Sequence, residues 1–105
     1  MRPASVTVTG VAISAWLPLD LGSVGPNAGI FLDMGAACTG TVEVTADDIF
    51  NPAVVPIAYA SGVATLTGAT TDVAAALNYP ARAVRLNQSA GAALSRLTVV
   101  QKGII

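Results

Sequence analysis

Hydrophobic and polar residues alternate along several short stretches of this chain, and a period of two is typical of a half-buried β-strand. In residues 39–48, the clearest stretch, apolar and polar side chains are predicted to lie on opposite faces. The apolar positions are Val42, Val44 and Ala46, and the polar positions are Thr41, Glu43 and Thr45. Residues 30–34 form a shorter, mostly apolar stretch that also predicts a strand.

The first strand changes register partway along. Val6 and Val8 predict one apolar face, whereas the next apolar residues, Val11 and Ile13, occupy odd positions. Gly10 lies between the two sets, and a bulge or bend at a glycine shifts the side-chain period in this way. We therefore expect the chain to bend at Gly10.

The end of the chain predicts two further strands joined by a turn over residues 88–95. Val84 and Leu86 are expected to face the core from the first of them, and Leu97 and Val99 from the second. The residues expected to face outward on the first of these strands are Ala83, Arg85 and Asn87.

Glycine and proline divide the rest of the chain. Pro18 ends the first strand, residues 19–29 predict a loop, and residues 47–56 form a connection rich in turn residues. Residues 57–66 predict strands that are interrupted near Ser61 and Gly62.

Residues 67–80 are ambiguous, because Thr71 or Asp72 suits the cap of one helical turn over residues 73–76 and a loop fits equally well. The whole pattern predicts an all-β, single-domain β-sandwich or jelly roll over residues 1–105, with about seven or eight short antiparallel strands.

Charge is scarce, with five basic and six acidic residues and a net charge of −1. Charged residues make up 10% of the chain, against about 25% in an ordinary soluble domain. A spanning helix needs about 20 nearly continuous apolar residues, and the longest candidate, residues 54–66, is interrupted by proline, serine and glycine. We therefore expect a protein made in the cytoplasm that packs against neighbours as a homo-oligomer or obligate partner.

Candidate chemistry is sparse. The chain has no histidine and one cysteine, Cys38, which we expect to be a small buried side chain. The pair Asp47 and Asp48 is expected to cap a turn, with calcium binding as the alternative. No residue set predicts a catalytic centre or a cofactor, so we expect a protein that is not an enzyme.

The basic residues are too few for a nucleic-acid footprint. Arg82 and Arg85 are expected to make structural ion pairs, since the guanidinium group suits planar carboxylate partners. Trp16, at the end of the first strand, is expected to be a core or edge anchor, and a sugar-stacking platform is the alternative.

Three segments together resemble small virion proteins of tailed bacteriophages. They are SVTVTGVAISAWLPLD at residues 5–20, TVEVTADDIFNP at residues 41–52, and YPARAVRLNQSAG with LTVVQKG at residues 79–91 and 97–103. The resemblance is a pattern of strands and turns without a catalytic motif. It implies a structural role in the virion, with the major capsid protein or other virion subunits as partners.

We therefore expect a capsid decoration (cement) subunit, with a tail or head–tail component and a carbohydrate-binding sandwich as alternatives. A glycan module would expose two or more coplanar aromatic side chains, whereas a cement subunit would bury them and expose flat Thr, Ala and Val faces. The termini are expected to be arms that grip a neighbour. The predicted interface residues are Met1, Arg2, Pro3, Ile104 and Ile105.

Overall fold

The computed structural model describes residues 4–19, 28–77 and 82–101, in which nine strands form two antiparallel sheets. The all-β sandwich predicted from the alternating pattern is confirmed. The strand number within the described residues exceeds the prediction because one sheet edge is divided into two pieces and residues 73–77 form a strand that was not predicted. The predicted loop at residues 19–29 falls largely outside the described residues.

The first sheet holds the two longest uninterrupted edges of the molecule. Its strands are β1 (Ala4–Thr9), β4 (Ala28–Asp33), β7 (Val73–Leu77) and β9 (Leu94–Gln101). They lie in the order β1-β9-β4-β7, so β1 and β7 are the edge strands.

The second sheet is built around two long central strands, β5 (Thr39–Thr45) and β8 (Ala83–Ala90), which pair with each other. One edge consists of two short pieces, β2 (Ala12–Ile13) and β3 (Leu17–Pro18), which both pair with β8. The other edge is the two-residue strand β6 (Tyr59–Ala60), which pairs with β5.

Side chains from both sheets form one buried core. Alternation places every second residue of each long strand inside, as predicted for Val8, Val42, Val44, Val84, Leu86, Leu97 and Val99. The other large core side chains are Ile30, Leu32, Met34, Leu66 and Leu77. Cys38 is also buried, as predicted.

The bend predicted at Gly10 is confirmed, and it carries the chain from the first sheet to the second. Gly10 has a φ of 75°, a conformation that glycine adopts without a steric penalty. The odd-numbered apolar positions after it are not core positions, however. Val11 and Ile13 are exposed, because they lie on the corner and on an edge strand rather than in the middle of a sheet.

Residues 73–77 form a strand, so the predictions of a helical turn or a loop for this region are wrong. Val73 pairs with Leu32 and Leu77 pairs with Ala28 in the ladder with β4. The three alanines between them carry little local strand preference, and pairing with β4 decides the conformation. Asp72 does not cap a helix; its Oδ1 accepts the N–H of Met34 at 2.9 Å.

Three side chains at the end of the β5–β8 ladder lie differently from the prediction. Ala46 is exposed and Thr45 is buried, because β5 ends at Thr45 and the regular alternation stops there. Ala83, expected outside, is fully buried directly opposite Thr45. The N–H of Asp47 bonds Thr45 Oγ1 at 3.1 Å, so the chain turns back over this end of the sheet.

The predicted turn at residues 88–95 is shorter than expected, since β8 continues to Ala90 and β9 begins at Leu94. Gln88 is fully buried, and its Nε2 donates to Gly10 O at 2.8 Å and to Ala93 O at 3.0 Å. The Gln88 side chain therefore joins the bend at Gly10 to the turn between β8 and β9. No helix within the described residues is long and apolar enough to cross a membrane.

Candidate interaction site

The connection between β5 and β6 is held in place by short polar side chains. Asp48 Oδ1 accepts the N–H of Phe50 at 3.0 Å, and Asn51 Oδ1 accepts the N–H of Ala53 at 3.0 Å. These are Asx turns, in which a short polar side chain bonds the backbone two residues further on. The prediction that an aspartate of this pair caps the turn before Phe50 is confirmed.

Asp47 fixes the far end of the same connection. Its Oδ2 accepts the N–H of Ile57 at 2.8 Å, which ties Ile57 back to the residues that follow β5. A carboxylate bonded to a backbone N–H is a charge-assisted hydrogen bond, among the stronger kinds in proteins. The carboxylates of Asp47 and Asp48 therefore serve the loop itself. No group of three metal-ligating side chains occurs among the described residues, so the calcium alternative gains no support.

This loop displays a run of exposed apolar side chains, which we call the 50–59 segment. Phe50 is 76% exposed and Val55 is 86% exposed. Ile57 and Tyr59 continue the run at alternate positions and are also exposed. Single exposed apolar residues are normal in a folded protein, but four large ones within ten consecutive residues make this segment a candidate interaction site.

The positions of the aromatic residues contradict one expectation for a cement subunit. Phe31, Phe50 and Tyr59 are exposed, although such a subunit was expected to bury its aromatic side chains. The three lie on different parts of the fold: on β4, in the β5–β6 loop and on β6. Tyr79 lies outside the described residues.

Trp16 lies between β2 and β3, at the edge of the second sheet, and is half-buried. The guanidinium carbon of Arg85 lies 4.4 Å from the centre of its ring, a cation–π contact. Arg85 Nε also donates to Glu43 Oε1 at 2.8 Å, so the structural ion pair predicted for Arg85 is confirmed. Trp16 is thus an edge anchor rather than a core residue, with one ring face covered by Arg85.

Asn87 adds a second donor to this group, since its Nδ2 bonds Glu43 Oε2 at 3.3 Å. Both carboxylate oxygens of Glu43 are therefore used within the sheet. Arg82, the other arginine expected to pair, is exposed and has no ion-pair partner among the described residues.

The outer face of the first sheet carries many small side chains, together with the larger Phe31, Leu94 and Arg96. Ser5, Thr7, Thr9, Ala74 and Ala76 are exposed on it. One ion pair, between Arg96 and Asp33, crosses the sheet at 3.5 Å with both side chains largely solvated. Such a pair contributes little to stability. Phe31 and Leu94 are about half exposed on the same face, so the flat Thr, Ala and Val face expected of a cement subunit is present only in part.

A shallow depression of about 390 Å³ lies at one end of this face. Phe31, Asp72 and Val73 line it beside the Arg96–Asp33 pair. Its two carboxylates are already used, Asp33 in the ion pair and Asp72 in the bond to the Met34 N–H.

The interface residues predicted from the sequence, Met1, Arg2, Pro3, Ile104 and Ile105, all lie outside the described residues. The 50–59 segment was not among the sites predicted from the sequence. One sequence feature could have indicated it. Val55, Ile57 and Tyr59 occupy alternate positions, which places three large apolar side chains on one side of an extended chain.

Comparison with protein-family models, with curated proteins and with solved structures finds no match to this chain.

Proposed function

We propose that this chain is a structural subunit that binds other protein subunits, and more specifically a capsid decoration (cement) protein that bridges major capsid proteins. The observation that carries the proposal is the 50–59 segment, where a loop fixed by its own hydrogen bonds displays Phe50, Val55, Ile57 and Tyr59 to solvent.

The fixed shape of this loop favours binding. Ordering a mobile loop on association costs free energy, so a loop already held by Asp47, Asp48 and Asn51 loses less on binding. Asp47 and Asp48 bond the loop's own backbone, which leaves large apolar side chains as the groups that a partner would contact. Interface cores have this composition, with aromatic side chains enriched and charged ones depleted.

The low charge of the whole chain supports the same proposal. A free monomer normally keeps many charged residues on its surface, and in this chain only 10% of all residues are charged. The small Thr and Ala side chains on the outer face of the first sheet would suit close contact with a second surface.

The virion assignment rests on the resemblance of residues 5–20, 41–52, 79–91 and 97–103 to small phage virion proteins. A tail or head–tail component is the close alternative within the same class. Copy number separates the two, since a decoration subunit occupies many equivalent positions on a shell and a tail component far fewer.

The first test is mass spectrometry of purified virus particles, with heads and tails separated. We expect the chain on heads, in proportion to the major capsid protein. Its presence only on tails would favour the alternative, and its absence from particles would contradict the virion assignment.

The second test concerns the binding surface. Val55→Ser combined with Ile57→Ser should weaken attachment to particles by at least about 100-fold, since burying the two side chains together is worth about 3–6 kcal/mol by area. Val11→Ser is the matched control, because Val11 is similarly exposed at 71% but lies on the opposite edge of the sandwich. Equal binding by the double variant and the control would rule out the 50–59 segment.

One observation favours a second candidate, a carbohydrate-binding module. Phe50 in the β5–β6 loop and Tyr59 on β6 are both exposed, and exposed aromatic rings are the usual platform for sugar rings. A glycan array separates the candidates: specific binding that is lost in Phe50→Ala and Tyr59→Ala would support the module, and no binding would support the protein-binding subunit.

A further inference from the structure

We propose that β1 pairs with β1 of a second copy of this chain, antiparallel and about a two-fold axis at Thr7. The pairing would join the first sheets of two subunits into one continuous sheet. It uses a surface on the opposite side of the sandwich from the 50–59 segment and does not depend on the proposed function.

β1 is an edge strand with one side free. All six residues of Ala4–Thr9 pair with β9 in one unbroken register, from Ala4 opposite Val99 to Thr9 opposite Leu94. Among the described residues, no strand pairs with the other side of β1. Every second residue of such an edge points its N–H and C=O away from the sheet, which makes it a template for another strand.

β1 also lacks the features that keep natural edges from pairing. These are short length, charged side chains, prolines and bulges. Residues 4–9, ASVTVT, contain no charge and no proline, and their register with β9 has no shift. The edges of the second sheet differ, since β2, β3 and β6 each have two residues and β3 contains Pro18.

The strand is complementary to itself, which is why we assign the partner as a second copy. Antiparallel pairing about Thr7 places Val6 opposite Val8 of the other copy and Ser5 opposite its Thr9. Every valine then stays on the core side and every hydroxyl residue on the outer side. A shift of one residue would place valine opposite threonine and break this match.

Exposed apolar side chains lie around the same edge. Val6 is only half-buried in the single subunit, and a neighbouring strand would cover the rest of it. Val11, Ile13 and Leu94, all more than half exposed, lie at the Gly10 end of β1. A strand pair of this length buries less than a standard interface, so we expect a reversible dimer whose population rises with concentration.

The test is sedimentation equilibrium of the full chain and its variants. Thr7→Glu places two carboxylates directly opposite each other at the axis, which should weaken dimerisation by roughly 5-fold. Within one subunit the same carboxylate faces Arg96 on β9, so the fold should keep its unfolding temperature. Thr9→Glu is the matched control: it adds the same charge to the same face, but opposite Ser5 of the second copy.

A charge-exchange experiment completes the test. Mixing Thr7→Glu with Thr7→Lys should restore dimers by forming an ion pair at the axis, although each variant alone dimerises weakly. A chain that stays monomeric up to about 1 mM, a concentration matching a very weak complex, would overturn the proposal, as would equal effects of Thr7→Glu and Thr9→Glu. Val55→Ser with Ile57→Ser should leave the dimer unchanged, so failure of this proposal is distinguishable from failure of the proposed function.

Discussion

The β1 edge of the first sheet and the β6 edge of the second sheet differ in what they offer a partner. The β1 edge is a strand of six residues with only small side chains. The β6 edge is a strand of two residues with a loop on each side. The 50–59 segment beside β6 instead offers large apolar side chains, with Pro52 and Pro56 removing backbone donors. One edge therefore suits a strand as its partner, and the other suits a surface with apolar pockets.

The turn between β8 and β9 is one of the connections between the two sheets. Gly91 lies between β8 and β9 with a φ of 101°, and a methyl group added there would lie 2.5 Å from Cys38 Sγ. We expect Gly91→Ala to lower the free energy of unfolding by about 2–4 kcal/mol, from backbone strain and overpacking together. Chemical denaturation measures this loss, which should exceed that of every other single substitution proposed for the two edges. A change below about 0.5 kcal/mol, the size of an ordinary surface substitution, would mean that the turn relaxes freely.

The 50–59 segment can be disrupted alone by removing Asp47. Asp47→Ala deletes the acceptor of the Ile57 N–H, which should cost about 1–2 kcal/mol of stability and weaken particle binding. Asp47→Asn keeps an acceptor oxygen, so it should lose less stability and less particle binding than Asp47→Ala. Dimerisation through β1 should be unaffected in each variant. Loss of the dimer in Asp47→Ala would show that the two edges are not independent.

The β1 edge can be disturbed at its corner with a smaller effect. Gly10 has a positive φ like that of Gly91, but a methyl group added to it meets no atom within 4 Å. Gly10→Ala should therefore cost only backbone strain of about 1 kcal/mol. Comparing it with Gly91→Ala in the same denaturation experiment separates strain from steric overlap. If the two variants lose the same free energy of unfolding, the whole effect of Gly91→Ala comes from the backbone conformation and none from steric overlap.

The long strands were predictable because their alternation is strong. Val42 and Val44, and Val84 and Leu86, face the core as the period of two requires. Residues 73–77 were not predictable, since three of the five are alanine, which favours a helix and is depleted in strands. Their strand conformation comes from pairing with β4, which is distant in the chain, so no local pattern encodes it.

The interaction site was less predictable than the fold. The turn residues of the β5–β6 connection indicated where the chain reverses, and the role of Asp48 followed from them. The bond between Asp47 and the Ile57 N–H spans ten residues and depends on the path of the loop. Phe50 and Tyr59 are exposed because the fold supplies no surface that covers them. The residue type alone does not show whether an apolar side chain will be covered.

Amide hydrogen exchange measured at low and high protein concentration is the sharpest test of the difference between the two edges. We predict that alternate amides of β1, those facing away from β9, exchange more slowly in the concentrated sample because they bond a second copy. The amides of residues 50–59 should exchange at the same rate in both samples. Slower exchange in residues 50–59, with β1 unchanged, would contradict the assignment of strand pairing to the β1 edge.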